Sequence, residues 1–431
     1  MITLESKKIG LLAFDLMKRL FNINRSLTGD GNRETLRIIK KKVKDLKILE
    51  FKSGTKVFDW VVPPEWNVKN AYVLDQNKKK IIDFKKNNLH LVGYSKAIKK
   101  IVSLKELKEH LYTYKNQPNA IPYVTSYYNK TWGFCLPFNK LKNLKKGKYT
   151  VNIESKFNNN GSLSIGEYKI KGKSNKEILI STNICHPSMA NNELSGPVIA
   201  TFLIDYFSKR KNYYSMRFLF FPETIGPLTY LSRHLKKVKK NFLAGYHLTC
   251  IGDGGDFSMI ESKEKYSYSA KIAKMILENY PKKKVYSFLE RGSDERQYNN
   301  PGINLPVVTL MRTKFGSYKE YHSSYDNLEF IKPKNLQKSY EYVFKILKLA
   351  QNDFKIYSTV KGEPFLSKRN LYRKFGIRKN LDKEESKLFD LISYSDGNRL
   401  STISEKINID PIDLLETVEL LKKHKLLSTS Y

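Results

Sequence analysis

The sequence predicts an α/β protein: a mixed sheet flanked by helices, interrupted by a β-rich insertion and followed by a small winged helix-turn-helix. Three observations carry this. From Glu177 onward short apolar runs alternate with amphipathic stretches of helical period, as strands and helices do when helices cover a sheet. Before that, from about Leu46 to Ile170, the texture is short β-type runs broken by turn residues. At the C-terminal end three short helical patterns precede one strand.

The chain opens with two helices, because Ile9, Leu12, Leu16 and Leu20 share one stripe and Leu36, Ile39 and Val43 another. Ser26 to Gly31 is the loop between them, read either as a tight turn or as one wall of a cleft. Val57–Val62, Ala71–Leu74 and Tyr149–Ile153 read as strands, separated by Pro63–Pro64 and Asn158–Gly161. Then come strand Ile178–Thr182, helix Val198–Phe207, strand Phe218–Phe221 and a helix from Leu228. Strand Ala244–Cys250, helix Ala270–Tyr280, strand Leu305–Leu310 and a long helix Asn335–Ala350 complete the series. A linker is expected at about Val360–Lys379. Helices Glu384–Tyr394, Leu400–Ile407 and Pro411–His424 follow, the third with Asp410 as N-cap and Pro411 in its first turn, and Lys425–Ser428 ends the chain as a strand. The expected division is 1–45 with 171–355, an inserted β-rich domain at 46–170, and a winged helix at 365–431.

Composition narrows the function. Hydrophobic residues at 40% and aromatics at 13% supply real cores, which excludes wholesale disorder. No apolar run approaches the ~18 residues of a membrane span. The polar start, Met1 to Lys8, reads as no signal peptide. The three cysteines, Cys135, Cys185 and Cys250, are scattered and read as reduced thiols; a soluble, cytoplasmic protein is expected. The net charge of +36 is spread along the chain and mostly lysine, unlike a concentrated nucleic-acid surface. It reads as solvated lysine faces and remains compatible with an anionic substrate. The helix Pro411–His424 carries Asp413, Glu416 and Glu419 at spacings of three, a stripe that phosphates would repel. Protein contact or self-association through the winged helix is therefore expected ahead of DNA binding.

Four strand ends bring polar groups together. They are Cys185-His186-Pro187-Ser188 with Ala190-Asn191-Asn192-Glu193-Leu194-Ser195-Gly196; Pro222-Glu223-Thr224; Gly252-Asp253-Gly254; and Tyr321-His322-Ser323-Ser324-Tyr325-Asp326-Asn327. Each alone is as well explained by a hydrogen-bonded structural residue. Together they repeat one topological position, and two histidines with carboxylates form a ligand set that zinc accepts. His186, Asp253 and His322 are the expected ligands, and Glu223 the general base on a metal-activated water.

The order of these motifs, with Gly292-Ser293-Asp294-Glu295-Arg296 before the last of them, resembles the zinc aminopeptidase superfamily, which also holds glutamate carboxypeptidase and glutaminyl cyclase. More closely the whole chain is similar to a bacterial family that joins an aminopeptidase-like domain to an inserted β-rich domain and a winged helix. Arg25-Ser26-Leu27-Thr28-Gly29, Phe58-Asp59-Trp60 and Gly292 to Tyr298 belong to that likeness. The resemblance implies zinc held by His186, Asp253 and His322, Glu223 as base, a small-molecule or peptide-like substrate and a polysaccharide-biosynthesis context. It also implies a substrate cleft bordered by Asp294, Arg296 and Arg25, although an internal Asp294–Arg296 pair explains that loop as well. Two departures stand out: Asn192 where two-metal members have a bridging aspartate, and Thr224 where they have a glutamate ligand. Neither replaces a carboxylate, so one ion is expected rather than two, with Asn192 and Glu193 as additional contacts. A catalytically silent binding or scaffold protein stays open as an alternative, and a DNA-binding regulator sensing a small ligand stands behind both.

Overall fold

The structure, a computed structural model, describes residues 8–371 and 383–431. Residues 372–379 of the expected linker and 1–7 of the polar start lie outside them. The chain divides into two units, Met1–Ala270 with Lys282–Glu341, and Lys271–Pro281 with Tyr342–Tyr431.

An eight-stranded mixed sheet organises the first unit. From edge to edge its strands are Lys47–Lys52, Ser162–Ile170, Tyr214–Phe221, Ser174–Asn183, Phe242–Leu248, Val307–Met311, Phe257–Ile260 and Lys283–Tyr286. The four central strands run parallel to one another. Their apolar runs, such as Ile178-Leu179-Ile180 and Phe218-Leu219-Phe220-Phe221, are buried throughout, as strands covered on both faces must be. Helices Ile9–Phe21, Asp30–Lys42 and Ser195–Ser208 pack together, and Ser195–Ser208 and Ile225–Asn241 both lie against the sheet. Gly196 permits the close approach of the first of these: a Cβ there would sit 2.1 Å from Thr182 Oγ1 and 2.5 Å from the Leu248 carbonyl. Asn183, Phe221, Leu248 and Met311 thus end at one edge of the sheet, the edge where ligands of α/β proteins bind.

The segment 46–170 departs from expectation. Its strand Lys47–Lys52 pairs with Ser162–Ile170, which pairs in turn with Tyr214–Phe221, so both ends of the segment belong to the main sheet. The remainder forms a four-stranded antiparallel sheet in the order Lys80–Asp83, Glu65–Leu74, Lys148–Asn158, Ile98–Ser103. Val73 and Val151 of this sheet share one apolar cluster with Leu163, Leu179 and Leu219 of the main sheet. A core that runs unbroken through both sheets is why the insertion has no separate interior. The strands Phe257–Ile260 and Lys283–Tyr286 were not expected, since four residues each are too few for alternation to register.

In the second unit, helices Lys383–Ser393, Leu400–Ile407 and Pro411–Lys423 accompany a three-stranded sheet in the order Asp396–Arg399, Lys355–Ser358, Leu427–Ser430. Asp410 caps the third helix as expected, its Oδ1 accepting from Ile412 N at 2.8 Å. Asp413, Glu416 and Glu419 are exposed on that helix. No described helix is long and apolar enough to cross a membrane.

Arg217 staples three strands of the main sheet from inside. Its side chain is 2% exposed and those of Glu167 and Glu177 are 7% and 14%. Nε and Nη2 donate to the two Glu177 oxygens at 2.7 Å each, and Nη1 donates to Glu167 Oε1 at 2.7 Å. Loss of the cation would leave Glu177 without its partner and Glu167 with only the Tyr230 hydroxyl and the half-exposed Lys169. Arg217→Met is expected to lower stability by roughly 3–5 kcal/mol, and Arg217→Lys to recover only part of this because an ammonium cannot fork. Urea unfolding of the three proteins checks it; equal midpoints would remove the staple from the account.

Candidate active site

Each of four loops beyond the central strands holds a residue other than glycine at positive φ: Ser188 at 46°, Thr224 at 63°, Cys250 at 45° and His322 at 52°. Such conformations persist only where the surroundings over-determine them, and they concentrate at functional sites. The bonds that enforce them also bring the candidate residues together.

His186 is fixed by a carboxylate. Ala190–Leu194 forms a single wide turn of π type ahead of helix Ser195–Ser208, a feature frequent at functional sites, and it turns Glu193 back onto Cys185 and His186. Glu193 Oε1 accepts both backbone N–H groups, that of His186 at 2.9 Å. Its Oε2 faces His186 Nδ1 at 2.8 Å. Because an ionised carboxylate only accepts, Nδ1 is the donor to Glu193, and Nε2 is the nitrogen turned toward Glu223, 3.9 Å from its Oε2. Burial opposes the imidazolium, yet Glu193 outweighs it and raises the pKa of His186. The His322 ring lies with its centroid 5.2 Å from that of His186, stacked on Tyr321 at 3.9 Å. Burial, helped by His186, pushes its pKa down to about 3, leaving a neutral imidazole. Tyr123 from the inserted segment contacts both rings, and its N–H donates to the His322 carbonyl at 2.8 Å.

Glu223 is presented by a clamp. Asp294 Oδ1 accepts from Thr224 N at 2.8 Å, and Arg296 Nη2 donates to Thr224 Oγ1 at 2.8 Å. Ser293 Oγ donates to Glu223 Oε1 at 3.2 Å. The motif Ser293-Asp294-Glu295-Arg296 therefore grips the strained turn and aims the carboxylate, which stays 24% exposed. Burial raises the pKa of Glu223 despite His186. Glu295 turns inward to cap Gly292 N and Ser293 N.

Three expected residues take other roles. Asp253 does not join His186 and His322: Asn191 Nδ2 at 2.8 Å, Gly255 N at 2.6 Å and Thr313 Oγ1 at 2.9 Å occupy its carboxylate. The central strand ends at Leu248, so the residue that lines the hollow with His186, Asn192, Glu193 and Glu223 is Thr249. Asp294 is fully buried, with Oδ2 accepting from Asn183 Nδ2 at 2.6 Å, and has no face left for a substrate amine. Arg25, 1% exposed, donates from Nε to the His186 carbonyl at 3.1 Å and from Nη1 to the Leu20 carbonyl at 2.5 Å; it supports the histidine loop from behind. The Thr28–Gly31 loop is docked on the insertion, with Trp66 N donating to Thr28 Oγ1 at 3.1 Å and Gly29 at φ 111° pressed against the Trp66 carbonyl. Asp326, part of the fourth polar motif but given no role there, accepts Asn191 N at 2.5 Å and Asn192 N at 2.9 Å, tying the two histidine loops together.

Among the described residues, Cys185, His186 and Glu193 are the one trio of histidine, cysteine or carboxylate groups whose ligand atoms lie within 4.8 Å of one another. Its geometry suits orientation rather than coordination, because Glu193 is already satisfied and burial drives the Cys185 thiol pKa well up. His186 and Glu223 line the hollow, and the His322 ring lies beside that of His186, its neighbour Tyr321 forming part of the lining. An imidazole with one nitrogen held by a carboxylate is the arrangement metal-ligating histidines use. Asn192, Thr224 and Thr249 add no charge to the site.

Residues 14–353 match the family model described as a domain of unknown function (DUF4910), and residues 355–429 match a winged helix-turn-helix model. A Clostridium acetobutylicum protein, provisionally named a polysaccharide biosynthesis protein with aminopeptidase-like domain, is 43% identical over 97% of this chain and 98% of its own. A crystal structure from Clostridium acetobutylicum, provisionally a peptidase, superposes with a TM-score of 0.91 at 40% identity, covering 99% of this chain and 97% of the other. The zinc aminopeptidase of Bacillus subtilis shares the fold, with a TM-score of 0.59 at 13% identity over 79% of this chain and 94% of its own.

Beneath the hollow, His247 is fully buried and faces Ser181 Oγ at 3.1 Å, Asn183 Oδ1 at 3.1 Å and Ser293 Oγ at 3.2 Å. Burial pushes its pKa down to about 3. An unfolded histidine titrates near ~6.5, so between these values the unfolded chain binds the extra proton and stability falls as pH falls. His247 is expected to contribute a slope of about 1.4 kcal/mol per pH unit below ~6.5. Urea unfolding at stepped pH should show a shallower slope for His247→Gln; parallel slopes would contradict the neutral, buried assignment.

Proposed function

The chain belongs to the DUF4910 family, and from that premise we propose a metal-dependent hydrolase acting on an amide or peptide-like bond. The observation that carries the reading is the set of His186, whose Nε2 Glu193 turns toward Glu223, the neutral His322 and the partly exposed Glu223, gathered at the carboxyl edge of the parallel strands. His186 and His322 would hold one zinc ion, with Glu223 beside it. Zinc bound there supplies Lewis acidity and an acidified water.

The remaining chemistry falls to the chain's own groups. Ser293 donates to Glu223 Oε1, so Oε2, the oxygen facing His186, is the one free to move a proton. It takes the proton of the attacking water and returns it to the leaving amine. A carboxyl pKa raised by burial brings this base nearer the pH at which it works. Arg25 and Glu193 keep His186 in place from behind, and Asp294 with Arg296 keep Glu223 forward. The name of the Clostridium acetobutylicum relative leads us to assign the substrate to cell-surface polysaccharide assembly, as a small or peptide-like amide. Buried free thiols at Cys135, Cys185 and Cys250 suit a reducing compartment, so we assign the chain to the cytoplasm. The exposed Asp413, Glu416 and Glu419 favour a protein contact for the winged helix over duplex DNA.

Neutral Asn192, Thr224 and Thr249 favour a second reading, a ligand-binding protein that has lost hydrolysis. Metal content separates the two. After loading with zinc and desalting, the wild-type chain is expected to retain one equivalent by elemental analysis. His186→Ala and His322→Ala should each lose it, and Glu223→Gln should keep it. With aminoacyl 4-nitroanilides and N-acylated amino sugars as probes, Glu223→Gln is expected to lower kcat by about 10²–10⁴-fold. A wild-type chain that holds no zinc rejects the hydrolase reading; two equivalents reject the single-ion assignment.

A further inference from the structure

Glu223 lines two spaces. One is the narrow polar hollow with His186; the other is a cavity of about 380 Å³. A ligand in the larger space is therefore presented to the proposed base. Its walls are unusual for this protein. Trp60, Tyr127 and Tyr128 are 43%, 40% and 48% exposed, whereas Trp66 and Trp132 are 3% and 5%. Three large rings stand open at one mouth, with Leu27 and Ile225 beside them and Arg296 and Gln297 supplying polar groups.

The aromatic wall is built, not incidental. Trp60 lies on the two-residue strand Trp60–Val61, paired with Lys56–Val57, and Tyr127 is held at φ 46°, a costly conformation for a bulky residue. Tyr128 OH donates to the Val61 carbonyl at 2.9 Å, tying the two segments so that the Trp60 and Tyr128 rings stand 6.2 Å apart, tilted by 54°. The polar side carries charge. Arg296 donates from Nη2 to Thr224 Oγ1, and its buried Nε has no hydrogen-bond partner among the described residues. Nor does any described carboxylate lie within ion-pair distance of it. Arg296 lines the cavity with donors to spare beyond the one on Thr224, and a guanidinium matches a carboxylate in charge and shape.

We propose that this cavity is a subsite for a single sugar ring bearing a carboxylate, a uronic-acid-type residue of the substrate. This deepens the hydrolase reading and rests on it for the role of Glu223. A pyranose has an apolar C–H face and a polar edge, which is the pattern of the lining: ring faces on one side, Arg296 and Gln297 on the other. An aliphatic or aromatic side chain would leave those polar groups unmatched. The volume lies at the small end of ligand pockets, roughly 300–1,000 Å³, enough for one or two rings and too little for a polymer segment. An anionic sugar also agrees with a net charge of +36.

Trp60 is the one exposed tryptophan of the three, so emission reports the site. Titration of the full-length protein with sodium D-glucuronate is expected to change tryptophan fluorescence saturably in the millimolar range, with D-glucose and L-phenylalanine amide at least tenfold weaker. Trp60→Phe should silence the emission change while saturation-transfer NMR still detects the sugar. Tyr128→Ala and Arg296→Gln should each weaken glucuronate at least tenfold, the latter removing the preference over glucose. No saturable response to glucuronate by either method, or tighter binding of phenylalanine amide, overturns the proposal. Zinc content measured on the same samples keeps the two readings apart: zinc without sugar binding sinks the subsite alone, and sugar binding without zinc sinks the hydrolase alone.

Discussion

A buried carboxylate already occupied by hydrogen bonds organises the site. Glu193 is 1% exposed and accepts from two consecutive backbone N–H groups and from the imidazole that follows them. Desolvating a carboxylate this completely is tolerable only when its lone pairs are filled, and here they are filled by the residue it has to orient. The result is a histidine with one tautomer, one ring position and one nitrogen turned to the hollow. The wide turn Ala190–Leu194 brings Glu193 round, and Asp326 anchors that turn by its Asn191 and Asn192 N–H groups.

The same economy governs the opposite wall. Thr224 occupies a backbone conformation that a β-branched residue avoids. Asp294 and Arg296 hold it there through its N–H and its hydroxyl, and Ser293 reaches past it to Glu223. Thr224 is thus the handle by which a neighbouring loop positions Glu223. Neutral groups at 192, 224 and 249 leave Glu193 and Glu223 as the carboxylates that line the hollow.

The insertion completes the site from outside the sheet. Tyr123 holds the His322 carbonyl and touches both imidazoles, while Trp60, Tyr127 and Tyr128 open a wall beside Glu223. Tyr128 OH, donating to the Val61 carbonyl, ties the segments that carry these rings.

Local pattern was enough for the alternation of strand and helix, the C-terminal three-helix unit with its Asp410–Pro411 start, and the four polar strand ends. Those features follow from hydrophobic period and capping chemistry, which act over a few residues. His186, His322 and Glu223, which the fold brings close together, stood out because imidazoles and carboxylates at strand exits are conspicuous by residue type. Residue type misled at Asp253: the sequence contains no measure of where strand Phe242–Leu248 stops, and only pairing with its neighbours puts Thr249, not an aspartate, at the hollow. Tertiary structure alone likewise decided that Arg25 and Asp294 face inward, that the strands flanking the insertion belong to the main sheet, and that Glu193 turns onto His186. Each depends on which distant backbone groups a buried charge finds, and that is fixed by packing across the sheet rather than by neighbours in the chain.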